Sequence, residues 1–206
     1  GMELKHPCVG MLHDANWWGK TKEMLTLENV VKKLPHVHFY WAGDGQYKTE
    51  ILEVLEKFEN FHYLGSLEYP NEVRKYLTEI DIYALPTGMD TTPLSCRESM
   101  SMQNPTIATN VGGIPEMIYD GETGFLIEEG DSEKWIEKIN LLIDKKELRE
   151  TLGKNARNLV IEKFNWDKLS NSGPTIIVIF IIFIALIEFT IFNVKLFGST
   201  PPIEIT

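Results

Sequence analysis

The chain has 206 residues, of which 43% are hydrophobic, 11% aromatic and 24% charged, and its formal net charge is −10. That composition belongs to a folded chain with one well-buried core, and the length leaves no room for two ordinary domains with their linkers. The acidic balance argues against a nucleic-acid polymer as partner, because such binding rests on Lys and Arg neutralising phosphates; an anionic ligand has to be small and locally held.

Apolar, β-rich runs alternate with helix-period segments along the chain. CVGML at 8–12 precedes a helical segment at 22–33, in which Met24, Leu27 and Val31 share a face with Leu34. VHFYWAG at 37–43 precedes a helix at 47–59, FHYLG at 61–65 one at 71–77, and DIYALP at 81–86 one at 93–103. PTIAT at 105–109 leads into a helix start at 115–118, and a later amphipathic segment places Leu148, Leu152, Ala156 and Leu159 on one face. The alternation predicts an α/β fold with a parallel sheet.

In open α/β sheets ligands lie beyond the carboxyl ends of the strands, so the loops that follow the strands are the place to look for chemistry. Here they read HDANWWGKT, GDGQ, GSLEYP, PTGMDTTP and NVGGIPE. In the last of them, Gly112 and Gly113 make a tight strand-to-helix turn, with Pro115 at or near the first helical position and Glu116 favoured by the helix dipole. WGKT resembles the end of a phosphate loop of nucleotide hydrolases, but Asp14 stands where that motif requires glycine.

Cys8 and Cys96 lie far apart and form neither a disulfide framework nor a metal-ligand spacing, so a reducing, cytoplasmic setting is expected. The five histidines include no i, i+4 pair bracketing a glutamate, and no metal site is expected. His36 and His38 read as structural, Cys96 as a small packing residue, and His13 is the only histidine in a ligand-side loop. Gly1 before Met2 reads as the remnant of a cleaved tag, with no signal peptide behind it.

Taken in order, GKTKEML, WAGDGQ, YLGSL, ALPTGMDTTPLSCRESM, NPTIATNVGGIPEMI and DGETGFLI resemble the carboxyl-terminal, nucleotide-sugar-binding domain of retaining family-four glycosyltransferases. The resemblance runs from about residue 8 to residue 169 and implies a GT-B half, a doubly wound, Rossmann-like parallel sheet. Two acids separated by seven residues face the sugar and the ribose in that family, which implies Asp90 for the sugar and Glu98 for the ribose hydroxyls. It also implies Lys20, just before the first helix, as a diphosphate ligand, backbone contacts from Gly43 and Gly45, and a loop from Gly65 near the base.

The chain departs from the family pattern at several places. Asp90 is one methylene shorter than the usual glutamate, and Thr91, Thr92 and Pro93 replace a glycine-rich stretch. Pro93 has no N–H, while Thr91, Thr92 and Leu94 still supply amides to a helix-start anion site, and Thr92 is expected to cap that helix. Met11 stands where the family has an arginine, with His13 and Lys22 as the nearby cationic substitutes.

The resemblance implies a domain, residues 2–171, that binds a nucleotide-diphosphate sugar such as a UDP- or GDP-sugar, without a cofactor or obligate metal. The transfer would be to a glycan or lipid-linked acceptor, in polysaccharide biosynthesis for example, with an amino-terminal acceptor domain supplied from elsewhere and no turnover by this chain alone. The alternative is a non-catalytic nucleotide-sugar-binding subunit of a split enzyme. Residues 172–206 form an apolar tail with three open readings: a membrane anchor at the inner face, a segment folded over the protein surface, or aberrant sequence from a frame change.

Overall fold

A computed structural model describes residues 2–163, and those up to Glu162 form one compact unit. The expected boundary at 171 and the apolar tail lie outside the described residues. Among the described residues no helix is long and apolar enough to cross a membrane.

The sheet has six strands, β1 (Cys8–Leu12), β2 (His38–Ala42), β3 (Phe61–Gly65), β4 (Ile82–Leu85), β5 (Thr106–Thr109) and β6 (Gly124–Ile127), in the order β3-β2-β1-β4-β5-β6. Every pairing is parallel. The order reverses between β1 and β4, which are hydrogen-bonded neighbours with Val9 opposite Ile82. In this doubly wound arrangement the reversal opens a crevice at the carboxyl ends of the two strands.

Period-two alternation along the strands divides the interior into two cores. Val9, Met11, Phe39, Trp41, Ile82 and Ile107 face one layer of helices, formed by α2 (Leu27–Lys33), α3 (Lys48–Leu55) and α6 (Ser132–Asp144). Cys8, Tyr40, Tyr83, Leu85 and Ala108 face the other, formed by α4 (Asn71–Glu79), α5 (Leu94–Ser101) and the latter part of α7 (Lys146–Lys163). The stripe expected on α7 divides between them: Leu148 and Leu152 join the first core, Ala156 and Leu159 the second.

The segment expected as a single helix at 22–33 is two pieces, a 3₁₀ turn (Lys22–Thr26) and α2, and a short helix, α1 (Trp18–Thr21), precedes them. The tighter turn accompanies an inward Glu23, whose Oε1 accepts from the Gly130 N–H at 2.8 Å and the Thr26 hydroxyl at 3.2 Å. Burial pushes the Glu23 carboxyl above its usual range. Lys20 therefore lies inside a helix rather than ahead of one. The helix start at 115–118 is a single 3₁₀ turn, Ile114–Glu116.

A candidate nucleotide-sugar site

Lys20 on α1 follows β1, Asp90 follows β4, and the crevice brings them together: Lys20 Nζ lies 3.1 Å from Asp90 Oδ2. The two side chains are 24% and 12% exposed, so the pair is partly withdrawn from water. Asp90 Oδ2 is enclosed and the ammonium does not meet it along a hydrogen-bond direction, which leaves an ion pair with an unfilled acceptor.

Glycines let the loops approach this closely. Gly88 donates to the Lys20 carbonyl at 3.0 Å, and a Cβ on Gly88 would stand 2.3 Å from the Gly19 carbonyl oxygen. Gly113 donates to the Asp90 carbonyl at 3.1 Å. A Cβ on Gly112 or Gly113 would stand 1.9 Å from the carbonyl oxygen of Asp90 or Thr91 respectively. The glycine pair thus does more than turn the chain: it lets the loop after β5 press against the loop that carries Asp90.

Asp14, Asn16, Trp17, Lys20, Asp90 and Thr91 line an open cleft of about 480 Å³. Asp14 and Asn16 also line an adjoining cleft of about 450 Å³ with His13, Gly43, Gly45 and Leu67. There the β2 loop crosses the β1 loop backbone to backbone, with Ala15 N–H donating to the Asp44 carbonyl and Tyr47 N–H to the Ala15 carbonyl, both at 2.9 Å. Gly65 holds the third loop in place as its carbonyl accepts from Gly43 N–H at 2.9 Å.

Glu98 lies elsewhere. It is one turn into α5, half-buried, and lines a groove with Tyr69, Pro70, Val73 and Arg74, between α4 and α5. Burial pushes its carboxyl above the usual range, opposed by a hydrogen bond from Tyr69. The structure therefore brings Lys20, Asp90 and Thr91 into one cleft and Gly43 and Gly45 into the next, while Glu98 opens on a separate groove.

Two sequence expectations are corrected. Thr92 does not cap α5, because Pro93 occupies the N-cap position and makes no side-chain cap bond; Thr92 is left one residue outside the helix. His13 does not replace the cation absent at Met11. Its ring is buried, Nδ1 is 3.1 Å from the Asp14 carbonyl, and burial pushes it down to about 4, so it is neutral at pH 7. Met11 is itself fully buried in the core. Lys22 is exposed, and its Cε is 3.4 Å from where a Gly88 Cβ would be.

The sequence reading passed over Gly88, Tyr69 and Trp17. Trp17 could have been found, since a tryptophan in a ligand-side loop has little reason to be there unless buried, and it is 68% exposed at the cleft.

The six-stranded parallel sheet, its order reversal and the loop set together define a half of GT-B type. The model of the family described as glycosyl transferases group 1 matches residues 18–159, and the chain belongs to that family. Sulfoquinovosyl transferase SQD2 of Arabidopsis thaliana is 35% identical over 151 residues, 72% of this chain and 29% of that protein. The chain spans between 29% and 37% of the length of three such curated relatives.

Two solved structures show the same fold. The carboxyl-terminal domain of LpcC, a group 1 glycosyl transferase of Francisella tularensis, superposes with a TM-score of 0.66 at 22% identity, covering 77% of this chain and 86% of that one. TarM of Staphylococcus aureus, in a crystal with fondaparinux, α-GlcNAc-glycerol and UDP, gives 0.66 at 26% identity over 81% of this chain and 36% of that one.

Proposed function

We propose that this domain binds the nucleotide-diphosphate sugar of a retaining glycosyltransferase, in the crevice between β1 and β4. The observation that carries the reading is the Lys20–Asp90 pair at the sheet reversal. An ammonium there serves as a point charge for a diphosphate, and an acid beside it accepts hydrogen bonds from sugar hydroxyls.

Binding of a nucleotide sugar redirects the pair. Phosphate oxygens take Lys20, and the unfilled acceptor Asp90 Oδ2 receives a hydroxyl hydrogen in its place. The uncapped first-turn amides of α5, near Leu94, and the N–H groups of Thr91 and Thr92 supply further donors to the phosphates. Lys20 and the helix end together stabilise the diphosphate as it leaves, which is the charge development that transfer requires.

Gly43 and Gly45, with the loop that Gly65 begins, shape the adjoining cleft through backbone, which fits a base lying across them. Glu98 meets the ribose hydroxyls once the ligand extends to its groove. UDP in the TarM crystal makes a uridine nucleotide the first ligand to try. The acceptor, a glycan or lipid-linked sugar, is held by a second domain or chain.

Calorimetric titration of UDP, GDP and ADP, with their sugar conjugates, tests the reading. Binding of one nucleotide series, weakened in Lys20→Ala and Glu98→Ala, supports it; equal binding by both variants and the parent refutes the assigned roles.

A further inference from the structure

At the opposite end of the strands from the cleft, three side chains of different donor chemistry converge. Cys8 opens β1, Asp81 immediately precedes β4, and His6 lies two residues ahead of Cys8. The Cys8 sulfur, a His6 ring nitrogen and an Asp81 carboxylate oxygen all lie within 4.8 Å of one another. We propose that His6, Cys8 and Asp81 form a binding site for a thiophilic divalent transition ion of the zinc class, separate from the nucleotide-sugar cleft.

The sulfur–nitrogen separation fits such an ion. Cys8 Sγ lies 3.6 Å from His6 Nδ1. With Zn–S of about 2.3 Å and Zn–N of about 2.0–2.1 Å, the sulfur–nitrogen edge of a tetrahedral site is about 3.5 Å. His6 Nδ1 and Asp81 Oδ2, at 2.7 Å, are joined by a hydrogen bond that an ion would replace by moving between them. An N–O edge of about 3.4 Å would be needed, and His6, 46% exposed on its side chain, is free on its solvent side to open the gap. Asp81 Oδ2 is oriented by the Cys8 N–H at 2.9 Å, an outer contact of the kind that steadies metal ligands.

Chemical type decides the class of ion. One sulfur, one imidazole nitrogen and one carboxylate oxygen select zinc-like ions over magnesium and calcium, which take oxygen ligands. On binding, the Cys8 thiol loses its proton to solvent and the thiolate becomes a ligand. The His6 ring keeps one proton, on Nε2, so that Nδ1 offers its lone pair. A fourth position, on the exposed His6 side, is left to water. The ion would join the segment entering β1 to the start of β4, the two strands that flank the crevice at their far ends.

Cobalt(II), added to the full chain after treatment with a chelator, is the probe. The proposal expects one cobalt per chain, an intense near-ultraviolet thiolate charge-transfer absorption, and its loss on addition of zinc. The absorption disappears in Cys8→Ser and persists in Cys96→Ser. Because Cys8 is fully buried and its replacement also affects folding, His6→Ala provides the second arm: its cobalt affinity falls by about tenfold or more while its metal-free thermal midpoint stays near that of the parent. Absence of the absorption, its survival in Cys8→Ser, or an unchanged affinity in His6→Ala would overturn the site.

Discussion

Gly88 donates its backbone N–H to the Lys20 carbonyl across 3.0 Å, which sets the separation of the two loops that carry Lys20 and Asp90. Any side chain at Gly88 would force them apart, because a Cβ would lie 2.3 Å from a backbone oxygen that cannot rotate away. Gly88→Ala is therefore expected to destabilise the fold by about 1–3 kcal/mol, the usual range for overpacking. Urea unfolding measures that loss, and titration of the variant with the nucleotide should show weaker binding as the Lys20–Asp90 pair opens.

Lys20 and Asp90 are expected to respond in opposite directions. Lys20→Ala lowers affinity for a nucleoside diphosphate by about tenfold, in line with the loss of one charge-assisted contact. Asp90→Asn releases Lys20 from its partner and raises diphosphate affinity by up to about fivefold, since a partly exposed pair is worth about 1 kcal/mol at most. The same variant loses whatever additional affinity the attached sugar confers. Calorimetry with the diphosphate and its sugar conjugate separates the two effects.

Glu98 holds a carboxyl whose burial resists ionisation. A raised carboxyl destabilises the fold once pH exceeds its folded-state value, and not below the ordinary carboxylate range. Glu98→Gln should therefore raise the thermal midpoint at pH 7 and leave it nearly unchanged at pH 4. Nucleotide affinity falls in the same variant, because the amide puts a donor NH₂ where the carboxylate has its second acceptor oxygen, and the bidentate pair with the ribose hydroxyls is lost. A gain in stability joined to a loss of binding distinguishes a ligand-facing acid from a structural one.

His13 makes stability fall in acid. An unfolded histidine titrates near 6.5, whereas burial holds folded His13 down to about 4. Below pH 6.5 the unfolded chain gains a proton that the folded chain refuses, so stability is undiminished above about pH 7 and is lost on the way down to pH 4. The full contribution is on the order of 3 kcal/mol. Thermal unfolding from pH 7 to 4 should show a shallower decline in His13→Gln than in the parent. His38 and His62, also lowered by burial, keep some slope in both.

Strand periodicity made much of the fold legible. CVGML and FHYLG coincide with β1 and β3, and the glycine-bearing loops fall at the carboxyl ends of the strands as expected. β6 escaped because GFLI is a short, nearly uniformly buried run that carries no alternation. The division of residues 22–33 escaped because Glu23, a polar residue in a helical pattern, is held inward by contacts from Gly130, which is remote in sequence.

The site was legible only where local chemistry identifies it. Lys20 and Asp90 fit a recognisable loop pattern, but their meeting depends on β1 lying beside β4, which no local pattern records. The separate groove of Glu98 and the burial of His13 are set by helix packing. Cys8 and Asp81 are likewise far apart in sequence, so a ligand spacing could not reveal the cluster with His6.

Amide chemical-shift mapping of the isotope-labelled chain during titration with a uridine-diphosphate sugar tests the central claim most directly. The account predicts shifts confined to the loops at 13–22, 43–46, 65–69 and 87–98, with Asp90→Asn removing the response to the sugar while the response to the diphosphate persists. Shifts centred on other surfaces, or an unaltered sugar response in Asp90→Asn, would contradict it.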